Sequence, residues 1–584
     1  MKVCQSCKAE MPADLEICES CGVKYEIAKR RGGFRGGLFV LALVILLAIG
    51  ALGYRLFFSR NGEEAARLLP TGCWMVITID TNPSPTQANL FLRISDAMKR
   101  EGLDKQTEDL LSSVLGPSKL ATELRPYINN SLALGMWGST VTDTSGAVIL
   151  NVTNAKAVAS ILNSKNISTK DNGVTIYKAP DSEIRIALEG SNLIMAVKPS
   201  DIHKVLEVKA GKVISVVDTA EFKEARKTLP EDASLMIFVQ PSGVQKVQQS
   251  YNPTSVMESI NSTAWCGVGL TMRDDGLLVT GRMPSGVVKG LEGLNDIQAL
   301  RYGPLQAMPS GAYGFYTLSQ PSKFWEVIRV MMAQNPEAAK QIDQGLADFD
   351  QTSGLSFAKD VLPAFAGEAA LAIYPSTKNN KNQPEMMLVL DSSNNATPGQ
   401  LIAKLTGNTT ALLMLSNVAG YKLTSVQEEG IKVYKFNNPT MKDMAGEFTC
   451  AQIGDKLVIT TSGELLTRAI GCKTSPTGSL AQEPTFQKMM SHGVHGAQIL
   501  YMINFPSMIT AITQADNPTD KPNEASQAWI DAFKDTAVVS GSVNNKEAFS
   551  EAFIPVDWEH LVHAMALASK QAPTPPTPSG GGTW

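Results

Sequence analysis

Four cysteines near the start of the chain, Cys4, Cys7, Cys18 and Cys21, stand in a C-x2-C, ten-residue gap, C-x2-C arrangement. Each pair suits a tight turn that brings two thiolates to one ion. The two turns together close a tetrahedral sulfur site, the coordination zinc favours. Four protein ligands leave no open position for water or substrate, so the expected ion is a structural Zn2+ that folds the segment. In so short an element, metal binding of roughly 10–16 kcal/mol supplies most of the stability. Two disulfides in a small secreted knot are the rival reading, and the paired spacing favours the metal.

The rest of the chain offers fewer candidates. His492 with His495, and His560 with His563, are spaced so that a helix would bring two imidazoles to one ion. Gly493 and Gly496 interrupt the first pair, which reads as a solvated loop. The second pair lies in "VDWEHLVHAMALA", expected as a terminal surface or interface helix, since a metal there would need a further ligand from elsewhere. Cys73, Cys266, Cys450 and Cys472 are even in number and permit two disulfides, in three connectivities, or free buried thiols. No Cys-His motif, G-x-S-x-G, H-E-x-x-H, P-loop or dinucleotide fingerprint occurs, and Asp274-Asp275 sit at a turn. No catalytic residue, and no cofactor beyond the zinc, is therefore expected.

The elements that must carry these residues begin with a membrane span. Residues 38–58 are apolar except for Arg55, long enough as a helix to match the hydrocarbon thickness. Lys29, Arg30, Arg31 and Arg35 precede the span, while Arg55 and Arg60 follow it, a weak positive-inside bias for a cytoplasmic N-terminus. Zinc thiolates persist best in a reducing compartment, which favours the same orientation. Small residues at Ala51 to Gly53 would suit a cleavage site, but the long leading region favours an uncleaved anchor. "CQSCKAEMPADLEICESCGVKY" resembles the short bacterial zinc-ribbon domain that begins many membrane proteins, with Pro12 in the turn region, Gly22 after the last ligand, and Lys8 where that family usually has Gly.

Beyond the span the sequence repeats itself in order. "LRPYINNSLALGMWG" from Leu124 is echoed by "VLPAFAGEAALAIYP" from Val361, Tyr177 by Tyr434, Gly190 by Gly454, and Ile186 by Cys450. Each half opens on a strand ("CWMVITID", "GAYGFYTL"), continues into helices, and ends on a hairpin turning at Asp275-Gly276 or near Asn544-Asn545. The expected class is α+β: two similar halves of antiparallel sheet with covering helices, preceded by a zinc ribbon and one transmembrane helix. The divisions are a ribbon over 1–24, a basic linker over 25–37, the span over 38–58, half-bodies over 65–290 and 300–566, and an unstructured Pro/Gly tail over 567–584.

"MPSGAYGFYTL", "FAKDVLPAFAGEAALAIYPS" and "EMMLVLDSSNNATPGQLIAKL" resemble the bacterial family known as domain of unknown function 3352, over roughly residues 65 to 565. Its Asp-Val-x-Pro turn with Gly-Glu falls on Asp360 to Glu368, and the first half lacks the Gly-Glu pair. The resemblance implies an envelope protein, often membrane-anchored, with no assigned activity. With 52 basic against 56 acidic side chains, wholesale nucleic-acid binding is not expected. The expected partners are the bilayer, through one span, and an unidentified protein or ligand held between the two halves. The expected protein is a non-catalytic binding or scaffold body outside the membrane with its ribbon in the cytoplasm. An envelope hydrolase and a transmembrane sensor acting through the ribbon are the alternatives.

Overall fold

The computed structural model of the chain describes residues 2–3, 10–11, 62–79, 85–103, 120–140, 143–165, 167–178, 183–251, 264–286, 292–333, 336–376, 384–391, 397–408, 422–438, 447–490, 496–513 and 522–571. Cys4, Cys7, Cys18 and Cys21, the segment 38–58, His492 with His495, and residues 572–584 lie outside the described residues, whereas residues 567–571, expected as the start of an unstructured tail, are the last turn of the helix Trp558–Gln571. Among those described, no helix is long and apolar enough to cross a membrane. The chain forms two compact units, 1–52 and 53–584. In the first, β1 (Lys2–Val3) and β2 (Glu10–Met11) pair antiparallel, bracketing Cys4 and Cys7 in sequence.

The second unit is built on two sets of ten strands. The first set comprises β3 (Met75–Ile79), β4 (Ile128–Trp137), β5 (Ser145–Val152), β6 (Ile167–Asp171), β7 (Val174–Lys178), β8 (Arg185–Glu189), β9 (Asn192–Ala196), β10 (Leu235–Val239), β11 (Cys266–Arg273) and β12 (Gly276–Pro284). The second comprises β13 (Gly314–Ser319), β14 (Glu368–Tyr374), β15 (Glu385–Asp391), β16 (Lys422–Glu428), β17 (Ile431–Asn437), β18 (Glu447–Ile453), β19 (Lys456–Thr460), β20 (Ile499–Asn504), β21 (Thr536–Val543) and β22 (Glu547–Pro555). All pair antiparallel in one 20-stranded sheet. Its order runs β6-β7-β8-β9-β5-β4-β3-β10-β11-β12, then β22-β21-β20-β13-β14-β15-β19-β18-β17-β16. The second set repeats the order of the first, read from the opposite edge.

The correspondence reaches individual residues. Tyr177 faces Ile186 across one ladder and Tyr434 faces Cys450 across its twin. Gly190 and Gly454 turn their hairpins at φ 62° and 63°, a left-handed conformation that glycine adopts without strain. A cation stands over an aromatic ring in each half, Lys204 over Trp137 at 5.6 Å and Arg468 over Tyr374 at 5.9 Å.

The halves join edge to edge through β12 and β22, from Gly276 opposite Pro555 to Pro284 opposite Glu547. Two symmetric backbone bonds extend the join, Ser285 N–H to Lys546 O at 2.9 Å and Val556 N–H to Asp275 O at 3.2 Å. The sequence led us to expect a cleft between halves, but this junction is a continuous hydrogen-bonded ladder. Each half also reaches over the other. After β22 the helix Trp558–Gln571 packs on the first-half helix Pro85–Glu101, and after β12 the turn Glu292–Asp296 packs on the second-half helix Pro321–Met332.

Fifteen α-helices lie among the described residues. The helices expected after the opening strand of each half are Pro85–Glu101 and Pro321–Met332. Helices Ala155–Lys165, Thr397–Gly407 and Pro241–Tyr251, and the strand pairs β6-β7 and β16-β17, are additions to the pattern read from sequence. One sheet face carries a core in each half, centred on Val76, Phe238 and Ile194 in the first and on Phe315, Met387 and Leu500 in the second.

Candidate functional site

Strand periodicity creates an open apolar surface on the second half. On β13, Phe315 and Thr317 point into the core while Gly314 and Tyr316 point the other way; β14, β20 and β21 alternate likewise. Register places Leu371, Tyr316, Tyr501 and Val539 in one row across four strands. A second row runs Ile373, Gly314, Ile503, Ala537. Leu371, Ile373, Tyr316, Tyr501 and Val539 are each between 38% and 42% exposed. Helix Phe505–Thr513 stands over this face, and between helix and sheet lies a groove of about 420 Å³, closed on the helix side by Met508, Ala511 and Ile512. This volume is within the usual range for ligand sites.

The first half presents the same row as Leu134, Ile77, Ile237 and Val268, all half-buried. Its overlying helix, Pro241–Tyr251, seats closely on Trp74: a Cβ at Gly243 would come within 2.1 Å of the Trp74 Cβ. The helix after β20 begins Phe505-Pro506-Ser507-Met508, so side chains occupy the corresponding turn and that close seat is not available to it.

Tyrosine supplies the groove's polar chemistry, with Ser376 at its edge. Burial raises the phenols of Tyr313 and Tyr316 above the usual tyrosine range, so both stay protonated and available as donors. No carboxylate, imidazole, thiol or cation is among the described lining residues.

A second, polar concavity of about 390 Å³ includes Arg301, Gln320, Glu368, Asp391 and Asp455. Glu368 is buried and accepts from the backbone N–H of Arg301 and, at 3.0 Å, from that of Gly303. It thereby ties the connection between halves to the start of β14. Gln320, in the left-handed region at φ 46°, donates its N–H to Gly367 O and accepts the Gln298 N–H at 2.9 Å. Burial raises the Asp391 carboxyl against the pull of Lys456, whose Nζ lies 3.9 Å away. The Gly-Glu pair singled out in the sequence is thus a fastening of the segment that leads into β13.

The remaining candidates separate. His560 and His563 lie on the terminal helix as expected, but each has its own carboxylate: His560 bonds Asp557 at 3.0 Å and His563 bonds Glu101 at 2.9 Å. His203 pairs with Asp171 at 3.0 Å. No group of three or more His, Cys, Asp or Glu among the described residues could hold a metal ion. Of the two readings for Cys73, Cys266, Cys450 and Cys472, the disulfides do not form; all four are free thiols. Burial pushes Cys73 up to about 12 and Cys450 to about 11, and raises Cys266 and Cys472 as well, so all are poor nucleophiles. Sequence reasoning missed the groove, whose signal was alternation on β13, β14 and β20 with apolar side chains on both faces.

No curated protein matches the chain. Two solved structures, crystal forms I and IV of TP0453, align at 12% and 10% identity over 38% of this chain and 77% and 80% of theirs, each with a TM-score of 0.23. The model of a family described as "Protein of unknown function (DUF3352)" matches residues 38–547, and the chain belongs to that family.

Proposed function

We propose that this is a membrane-anchored envelope protein whose body binds an apolar ligand or segment, without transforming it, in the groove of its second half. The carrying observation is that Leu371, Tyr316 and Tyr501 of one cross-strand row line the groove, each between 39% and 42% exposed, where the equivalent row of the first half is half-buried. The described lining, uncharged and with a few phenol donors, suits an apolar occupant oriented by one or two hydrogen bonds. A hydrolase would need a base poised beside a nucleophile. The described lining of the groove holds no imidazole, carboxylate or thiol to act as base or nucleophile, which favours binding there over that alternative.

The span over 38–58 and a cytoplasmic ribbon holding Zn2+ on Cys4, Cys7, Cys18 and Cys21 complete the proposal, supported by apolar length, flanking charge and thiol spacing. The test is titration of the full-length protein in detergent with a neutral, environment-sensitive naphthalene dye. One saturable site is expected, lost in Leu371→Asp and in Tyr501→Asp with the circular dichroism unchanged. Absence of a saturable site, or binding indifferent to both substitutions, refutes the groove.

A further inference from the structure

We infer that the polar concavity beside β14 is a second binding site, for a small zwitterion carrying a primary ammonium and a carboxylate, of the class of the α-amino acids. Its floor is one row of side chains across four strands. Register sets Ser319 opposite Glu368, Glu368 opposite Asp391, and Asp391 opposite Lys456. Ser319, Glu368 and Asp391 line the concavity together with Asp455, the residue before Lys456.

Two groups on this floor lack the partners that their burial calls for. Ser319 is 2% exposed, yet its hydroxyl has no hydrogen-bond partner among the described residues. The Asp391 carboxylate accepts no hydrogen bond among them either, for Lys456 Nζ stays 3.9 Å away and bonds Asp455 at 2.7 Å. Glu368 and Asp391 are also like charges directly opposite each other, an arrangement that destabilises a sheet and that a cation between them relieves. In the first half the same place is neutral and closed on itself. The β5-β9 ladder ends on Asn151 with Asn192, where the β15-β19 ladder ends on Asp391 with Lys456. Asn151 Nδ2 donates to Ser191 Oγ at 3.4 Å and to Asn192 Oδ1 at 3.5 Å.

Donors for an anion gather at the other side. Among the described residues Arg301 has no carboxylate within ion-pair distance; its guanidinium bonds Gln298 Oε1 at 3.3 Å, and the Gln298 N–H bonds Gln320 Oε1 at 2.9 Å. Arg301, Gln320 and the Ser319 hydroxyl thus collect near the end of β13, whereas the carboxylates of Asp391 and Asp455 collect at the end of β15 and the start of β19. Two strand spacings, roughly 10 Å, separate Ser319 from Asp391. A molecule whose ammonium and carboxylate lie a few ångströms apart spans that gap with a charge-assisted hydrogen bond at each end.

The experiment is calorimetric titration of the full-length protein in detergent with the common α-amino acids, each compared with its N-acetyl form, which lacks the ammonium, and its primary amide, which lacks the carboxylate. At least one free amino acid is expected to bind saturably at one site. Its affinity is expected to fall on the order of tenfold or more in either derivative, in Asp391→Asn and in Arg301→Gln, the loss that one hydrogen bond to a charged group carries. Asn151→Ala, at the matching place in the first half, is expected to leave binding unchanged. No saturable binding of any of these amino acids, or binding indifferent to both Asp391→Asn and Arg301→Gln, overturns the inference. Amides that bind as tightly as the free amino acids make this an ammonium site and overturn the zwitterion. Displacement of the naphthalene dye by the bound amino acid would place it in the apolar groove and overturn a second site, so the two sites fail separately. Should a variant not fold, the comparison of derivatives on the unaltered protein still decides.

Discussion

At the scale of residues, two carboxylates make distinct claims. Glu368 holds two backbone donors of the inter-half connection, so Glu368→Ala strands the Arg301 and Gly303 amides. The expected loss is about 1–3 kcal/mol, read as a lower urea midpoint at unchanged slope, with Glu368→Gln costing less. Asp557 caps the terminal helix, accepting from the amides of Glu559 and His560 at 3.2 and 3.1 Å, and pairs with Lys534. Burial pushes its carboxyl up, but the bonds from Lys534 and from the backbone and ring of His560 overcome that and hold it at about 2. A carboxyl lowered on folding contributes stability above its unfolded value near 3.9, and this contribution is lost as pH falls toward 2. Asp557→Asn keeps a cap, so the variant is expected to show a shallower loss of stability between pH 4 and 2 than the wild type. The sequence singled out Glu368 through the Gly-Glu pair, but its task was hidden because the amides it holds lie over sixty positions away. Cys450 was more legible: its alignment with Ile186 marked it as a buried apolar position.

Among elements, the terminal helix Trp558–Gln571 joins the end of the chain to the first half. The indole N–H of Trp558 donates to Arg273 O at 2.7 Å and its ring is buried. Glu559 meets Arg93 and Arg100 at the surface. Trp558→Ala is expected to cost about 3–5 kcal/mol by denaturant titration, through lost burial and an orphaned carbonyl. Glu559→Ala is expected to cost under about 1 kcal/mol, because solvent screens its exposed ion pairs. Comparable losses would mean that charge, not packing, secures the helix. Helices with long apolar stripes, such as Pro85–Glu101 and Pro321–Met332, were legible because their periodicity is set by a packed face. Ala155–Lys165 and Pro241–Tyr251 escaped notice because short helices among strands offer only two or three turns of pattern.

For the whole molecule, duplication was legible because turns, strand pairs and buried positions recur in one order. The edge-to-edge join was not, since nothing local distinguishes a hairpin strand that pairs with its twin from one that ends a sheet. That join makes the body continuous across β12 and β22, and it leaves the asymmetry between the two helix-covered rows as the feature that selects a site. The most direct measurement is photolabelling of the full-length protein with an alkyl diazirine at limiting concentration, followed by peptide mass mapping. Label is expected on β13, β14, β20 and the helix Phe505–Thr513, and to disappear in Tyr501→Asp. Label shared equally with β3, β4 and β10 of the first half, or unaffected by that substitution, would contradict a binding groove confined to the second half.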